Sequence, residues 1–265
     1  MEVNLEALVR NLNYYRSRLS PNTKIMAMVK AFSYGAGNVE IANTLQFHNV
    51  DYLTVAYADE GVELRKSGIT LPIMVMNPEE ESFDDIIKYN LEPDIYSFRI
   101  LDDFVQAASL YCSEDEKISI HIELDTGMHR LGFMEADMPE LIGRLKEAKA
   151  IKVKSFFSHL ACSEDPEMDY FTRSQIQKFR EWSTLLKDRL GRKDVLCHIL
   201  NSSGIVRFPE AEMDMVRLGI GLYGIAPDPE IQKQLTLISK LKTKISQIKS
   251  IPQGDSVGYN CKWVA

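Results

Sequence analysis

Lys30 closes the apolar run Lys24-Ile-Met-Ala-Met-Val-Lys30 and is followed by Tyr34-Gly-Ala-Gly37. An amine held at such a place is a nucleophile or a base whenever it loses its proton. Four further groups follow apolar runs in the same way: Asp125-Thr-Gly-Met-His-Arg-Leu-Gly132, His159, Asn201-Ser202-Ser203-Gly204 and Arg217-Leu-Gly-Ile-Gly-Leu-Tyr-Gly224. Between them they offer a proton carrier, guanidinium cations, hydroxyls and glycine-bared backbone. Taken singly, each has a plain alternative. Lys30 is a solvated side chain, His159 a satisfied structural residue, Ser202 part of a helix start after Asn201, and Arg217 an exposed partner of Asp214 or Glu212. The histidines are not spaced at i, i+4 or set beside cysteine pairs, so no metal site is expected. Cys112, Cys162, Cys197 and Cys261 contain no C-x-x-C pair and read as reduced thiols.

Elements must place these groups together. Leu5, Leu8, Leu12 and Tyr15 recur at helical spacing, and residues 38–48, 58–67, 98–110, 137–149 and 169–189 are amphipathic and helix-length. Strands are expected at 24–30, 51–56, 71–76, 92–96, 117–124, 152–158, 195–200 and 213–216. They read as continuous apolar runs, the pattern of parallel strands buried on both faces. Repeated strand–helix units imply an α/β fold, a (β/α)8 TIM-type barrel, whose chemistry sits at the C-terminal ends of its strands. A doubly wound open sheet is the alternative, weakened because no G-x-G-x-x-G or P-loop follows a strand. The pattern changes after Pro227. From Leu241 apolar and polar residues alternate, which predicts strand with one wet face. The expected division is a barrel over 1–229 and the start of a β-rich domain over 230–265.

The chain has 265 residues, 45% hydrophobic and 26% charged, with a net charge of −7. That balance fits a globular protein and disfavours nucleic acid or an anionic membrane as partner. No apolar run approaches the ~20 residues of a bilayer span, and the first residues lack a signal-peptide pattern, so a cytoplasmic location is expected.

The segments Met28–Gly37, Leu124–Gly132, Ser158-His159, Asn201-Ser202, Val216–Gly224 and Ser256-Val-Gly-Tyr259 together resemble the alanine racemase family, the fold-type III pyridoxal-phosphate enzymes. They occur in family order over nearly the whole chain. The resemblance implies an N-terminal (β/α)8 barrel followed by a β domain, and pyridoxal 5'-phosphate as cofactor. Lys30 would bond the cofactor covalently and act as one of two bases at the substrate Cα. Tyr34, Ser202 and the amides of Gly219 and Ile220 would serve the phosphate, and Asn201 would also belong to the cofactor site. Arg217 would face the pyridine nitrogen, with His159 stacked by the ring and linking Arg217 to the second base. That base would be Tyr259 of the partner subunit in a homodimer. Arg130 would lie near the substrate carboxylate, and Asp125 would brace its loop. The implied activity is interconversion of L-alanine and D-alanine, supplying D-alanine for peptidoglycan.

Two features depart from the family. Position 123, where the family often has a carbamylated lysine whose anion orients the arginine, is Glu123, and the expectation is that Glu123 replaces that anion. The alternative is a glutamate paired with a barrel-surface lysine. The chain also ends six residues after Tyr259, whereas family β domains run further, so a truncated chain with weak or absent racemisation is expected. Competing readings are a racemase of another small amino acid such as serine, a fold-type III decarboxylase, a non-catalytic pyridoxal-phosphate-binding barrel, and an inactive barrel fragment of a longer polypeptide. Ser256–Tyr259 argues against the non-catalytic barrel, which lacks the β domain.

Overall fold

A computed structural model describes residues 1–111 and 117–265; Cys112 lies outside them. After the short strand β1 (Glu2–Val3), eight strands run in sequence: β2 (Lys24–Met28), β3 (Tyr52–Val55), β4 (Ile73–Val75), β5 (Glu92–Ile95), β6 (Ile118–Glu123), β7 (Ile151–Phe157), β8 (Leu196–His198) and β9 (Met215–Leu218). All their pairings are parallel, in the order β8-β7-β6-β5-β4-β3-β2-β9. Backbone bonds from Asp214 N–H to Cys197 O and from Arg217 N–H to Leu200 O bring the two ends of this sheet together. The result is the expected barrel rather than an open doubly wound sheet.

All eight expected barrel strands are present. Helices at Leu5–Arg16, Asn38–Phe47, Ala58–Lys66, Phe98–Tyr111, Met138–Glu147 and Asp169–Leu190 lie where helical periodicity places them. Asn4 caps the first, accepting the Ala7 N–H at 3.0 Å. One face of the strands packs on the helices in the main core, which includes Leu8, Leu45, Leu53, Phe104, Ile122 and Phe156. The other face fills the barrel, where Met26, Tyr52, Met74, Phe157 and Met215 form a separate cluster. Burial on both faces explains why the strands read as apolar runs.

The C-terminal segment differs from expectation. Only Ser239–Lys240 (β10) forms strand near the alternating stretch, antiparallel to β1. Residues 241–255 carry no strand, and Leu241, Ile245 and Ile248 are exposed. Alternation marks which side chains could share a face, but a strand also needs a neighbour to take its backbone N–H and C=O groups. Among the described residues, no other segment offers backbone hydrogen bonds to residues 241–251. Beyond it, β11 (Ser256–Val257) and β12 (Trp263–Val264) form a small antiparallel pair.

No helix among the described residues is long and apolar enough to cross a membrane, and no metal-binding group of His, Cys, Asp or Glu occurs among them. Cys162, Cys197 and Cys261 are unpaired thiols.

Candidate active site

Lys30, Tyr34, Arg130, His159, Asn201, Ser202, Arg217, Gly219 and Ile220 line one cavity of about 290 Å³. It opens at the C-terminal ends of the strands, and Met28, Met76, Glu164, Ser203 and Pro227 complete its walls. A second cavity of about 290 Å³ lies at the opposite mouth, lined by Lys24, Asp51, Tyr52, Lys152 and Asp194 among others. It contains none of the expected site residues, and in barrels that end serves stability rather than chemistry.

Lys30 does not end β2 but stands two residues past it, opening a left-handed turn. Ala31, Phe32, Ser33 and Tyr34 all have φ between 52° and 54°. Left-handed backbone costs L-residues roughly 1–2 kcal/mol each. The turn is held by Ser33 N–H to Val29 O, Gly35 N–H to Ala31 O and a 3.3 Å bond from Phe32 N–H to Glu60. It folds Tyr34 back over the cavity, where its ring lies 4.7 Å from that of Tyr223. Tyr223 in turn donates to Met28 O at 2.7 Å. Burial, and then the positive charge of Arg130, lower the Lys30 pKa, while Glu60 opposes them. A lysine so placed spends more of its time as the free amine.

Arg217 projects from β9 into the barrel and is buried. It is not an exposed partner of Asp214 or Glu212. Asp214 accepts from the Cys197 amide and faces Lys187, and Glu212 accepts from Ser20 and Thr23. Arg217 donates to His198 Nδ1 at 2.8 Å, to Ser158 O at 2.5 Å and to His159 Nδ1 at 3.2 Å. Burial lowers its pKa to about 10, with Glu123 and Asp94 pulling the other way, so it remains a cation at neutral pH. Burial and then Arg217 push His159 down to about 3 and His198 well below its ordinary value. Both histidines are therefore neutral.

That charge state fixes a line of hydrogen bonds through the barrel. Arg217 can only donate, so His198 Nδ1 accepts and its Nε2–H donates to Ser155 Oγ at 2.9 Å. Ser155 Oγ also lies 2.6 Å from His121 Nδ1, and His121 Nε2–H donates to Glu92 at 2.8 Å. The same logic makes His159 Nδ1 an acceptor and leaves its proton on Nε2.

Asn201 caps the short helix Ser202–Arg207, accepting from Gly204 N–H at 2.9 Å and from Ser163 Oγ at 2.8 Å. Ser202 Oγ accepts the amides of Gly219 at 3.0 Å and Gly221 at 3.2 Å. A Cβ at Gly219 would sit 3.4 Å from Tyr34 Oη and 3.8 Å from Ser202 Oγ. The missing side chain leaves a small niche walled by two hydroxyls, the Met28 side chain and backbone.

A model of the family described as alanine racemase, N-terminal domain, matches residues 3–227. The alanine racemase of Clostridium kluyveri is 35% identical over 270 residues, covering 99% of this chain and 67% of that protein. The solved alanine racemase of Clostridium difficile 630 is 34% identical with a TM-score of 0.88, over 99% of this chain and 69% of that one. The alanine racemase from D-cycloserine producing Streptomyces lavendulae is 29% identical with a TM-score of 0.90 over the same shares. The chain belongs to the alanine racemase family. It spans about two thirds of the length of these relatives.

Three of the residues singled out by resemblance to alanine racemases lie outside the cavity lining. Asp125 anchors the loop that carries Arg130, accepting the Gly127 and His129 amides at 3.0 Å each and facing His129 Nδ1 at 3.0 Å. Burial pushes its carboxyl up, but these donors outweigh it and hold the pKa below the usual range. Glu123 is 3% exposed and points into the barrel, so it is no partner of a surface lysine. Its carboxyl group lies against that of Asp94, with Arg130 and Arg217 near. Tyr259 is fully exposed, in the turn between β11 and β12. Sequence reasoning passed over Asp94, His121 and His198. The available signal was parity: His121 and Glu123 alternate with Ile120 and Ile122, so polar side chains share the barrel-facing side of β6.

Proposed function

We propose that this protein binds pyridoxal 5'-phosphate at Lys30 and interconverts L-alanine and D-alanine by a two-base mechanism. The supporting observation is the meeting, in one cavity, of a lysine with a lowered pKa, a buried arginine cation, and the niche between Tyr34 and Ser202. The residues present fit the cofactor. A phosphate group suits the niche beside Gly219, where two hydroxyls face glycine-bared backbone. Lys30, Tyr34, Ser202 and Arg217 would hold it. When bound, the cofactor supplies an electron-withdrawing ring that stabilises negative charge at the substrate Cα.

The chain's own residues do the rest. Lys30, released by substrate, takes or returns the proton on one face of Cα. Tyr259 of a second copy serves the other face, which makes a homodimer the working unit. Arg217, a cation held by carbonyl oxygens and two histidines, disfavours a proton on the ring nitrogen and so limits side reactions. His159 carries its proton on Nε2 and can donate it to the phenolic oxygen of the second base. Arg130 orients the substrate carboxylate. Residues 1–229 form the cofactor-binding unit and 230–265 belong to a β-rich unit in this reading. The product serves cell-wall synthesis in the cytoplasm.

The decisive experiment is reductive labelling. Protein incubated with pyridoxal phosphate and reduced with borohydride should carry the label on Lys30, and Lys30→Ala should carry none. Label on another lysine with Lys30 unmodified would overturn the assignment. Unreduced protein incubated with pyridoxal phosphate is assayed in parallel for exchange of the alanine Cα hydrogen with deuterated solvent, and the reduced form should show none.

A further inference from the structure

Asp94 and Glu123 are neighbours on adjacent strands. Asp94 pairs in register with His121, and Glu123 lies two residues further along the same face of β6. Glu92 and Asp94 likewise share a face of β5, and each meets the β6 side chain two residues beyond register on the same diagonal, Glu92 with His121 and Asp94 with Glu123, which makes two side-chain rungs. The second rung consists of two acids. Asp94 is completely buried and Glu123 is 3% exposed. Among the described residues, no N–H or O–H group reaches either carboxyl oxygen of Asp94. The Glu123 carboxyl group is within hydrogen-bonding reach of it. Two ionised carboxylates have only acceptors to offer each other, and burying both without a donor is costly.

We propose that Asp94 is a positioning residue that holds a proton between its carboxyl group and that of Glu123, so that the pair presents one negative charge to Arg130 and Arg217. Burial, followed by the charge of Glu123, raises the Asp94 pKa well above the usual range. Burial also raises that of Glu123, but its bond with Asp94 and the two arginines pull it back. The proton therefore resides on Asp94, and Glu123 carries the charge. The groups facing the pair are Arg217 from β9, Arg130 and Asp125 from the loop after β6, and Tyr96 just past β5. One negative charge among two guanidiniums leaves the site cationic, which suits a phosphorylated cofactor and a substrate carboxylate. A doubly charged pair would cancel both. The consequence for Arg130 rests on the pyridoxal-phosphate reading; the shared proton does not.

Infrared spectroscopy tests the proton directly, without cofactor or substrate. Protein labelled with carboxyl-13C aspartate should show, at pH 7, a protonated-carboxyl C=O stretch shifted by the isotope, and Asp94→Asn should lack it. No protonated aspartate band in the wild-type chain between pH 5 and 8, or a band that persists in Asp94→Asn, overturns the proposal. If that band appears while Lys30 stays unlabelled, the pair stands and the proposed function falls. Cofactor affinity gives a second readout. Asp94→Asn keeps a donor to Glu123 and should bind pyridoxal phosphate within about threefold of wild type. Asp94→Leu removes the donor and should weaken binding about tenfold or more. Equal losses in the two variants would reduce Asp94 to a space-filling role and overturn its part in positioning.

Discussion

At the scale of single residues, burial decides protonation here more than any pairwise contact. His159 and His198 are neutral in the fold because burial and Arg217 disfavour their charged forms. In the unfolded chain both take up protons near pH 6.5, so their contribution is complete above that pH and is lost as pH falls. Asp94 acts with the opposite sign, since its raised pKa keeps a proton in the folded state that the unfolded chain releases. Near pH 6.5 the unfolded histidines are half charged and their uptake only cancels the proton that Asp94 loses; near pH 5 both are charged and the net approaches one. Urea titrations should therefore show stability falling ever more steeply below pH 6.5, toward about 1.4 kcal/mol per pH unit near pH 5. Asp94→Asn should roughly double the slope, and a flat or rising profile in the wild type would contradict the assigned charge states. Glu123→Gln keeps size but removes the charge that faces Arg130. It should lower racemisation by one to two orders of magnitude, as a charge-assisted bond of roughly 1.5–3 kcal/mol implies, with folding intact. A neutral result in steady-state kinetics would remove Glu123 from the site.

At the scale of elements, the motif Arg217-Leu-Gly-Ile-Gly-Leu-Tyr-Gly224 acquires a separate reason for each of its first two glycines. Gly219 leaves the niche beside Tyr34 and Ser202. Gly221 lies under Tyr15 of the first helix, where a Cβ would stand 2.1 Å from Tyr15 Oη. Because Tyr15 is 1% exposed and cannot withdraw, Gly221→Ala should cost about 1–3 kcal/mol or more in denaturant unfolding. Gly143, on the exposed face of the helix Met138–Glu147, has nothing within 4 Å of its would-be Cβ. Gly143→Ala should stabilise by roughly 0.5–1 kcal/mol. If the two substitutions behaved alike, close packing at Gly221 would not be what that glycine provides.

At the scale of the whole molecule, Lys30 lines the cavity while Tyr259 is fully exposed outside it. Two-base chemistry in trans then predicts complementation. Lys30→Ala and Tyr259→Phe subunits should each be nearly inactive, and dimers mixed at random should recover about a quarter of the wild-type sites. No recovery in mixtures shown to contain heterodimers would place the second base elsewhere. The barrel itself was legible in the chain because its eight strands are buried on both faces and so read as apolar runs. That Lys30, His159, Asn201 and Arg217 lie near or just past the C-terminal ends of strands was legible for the same reason, since a run's end marks where the backbone leaves the barrel. Helix Phe83–Lys88 gave no comparable signal, being too short to repeat an apolar face. The stretch from Leu241 gave a false one, because alternation fixes parity and not the presence of a strand partner. The tertiary structure alone decided what Arg217, Asp94, His121 and His198 do. Their hydrogen-bond partners lie on other strands, and registers between strands far apart in sequence bring them within reach. Lys30 and Asn201 are set largely by their own neighbours in the chain, so sequence sufficed for them, whereas Gly219 and Gly221 answer to distant side chains. Charge states in the barrel depend on what surrounds each group in three dimensions, and closing the barrel is what removes the water.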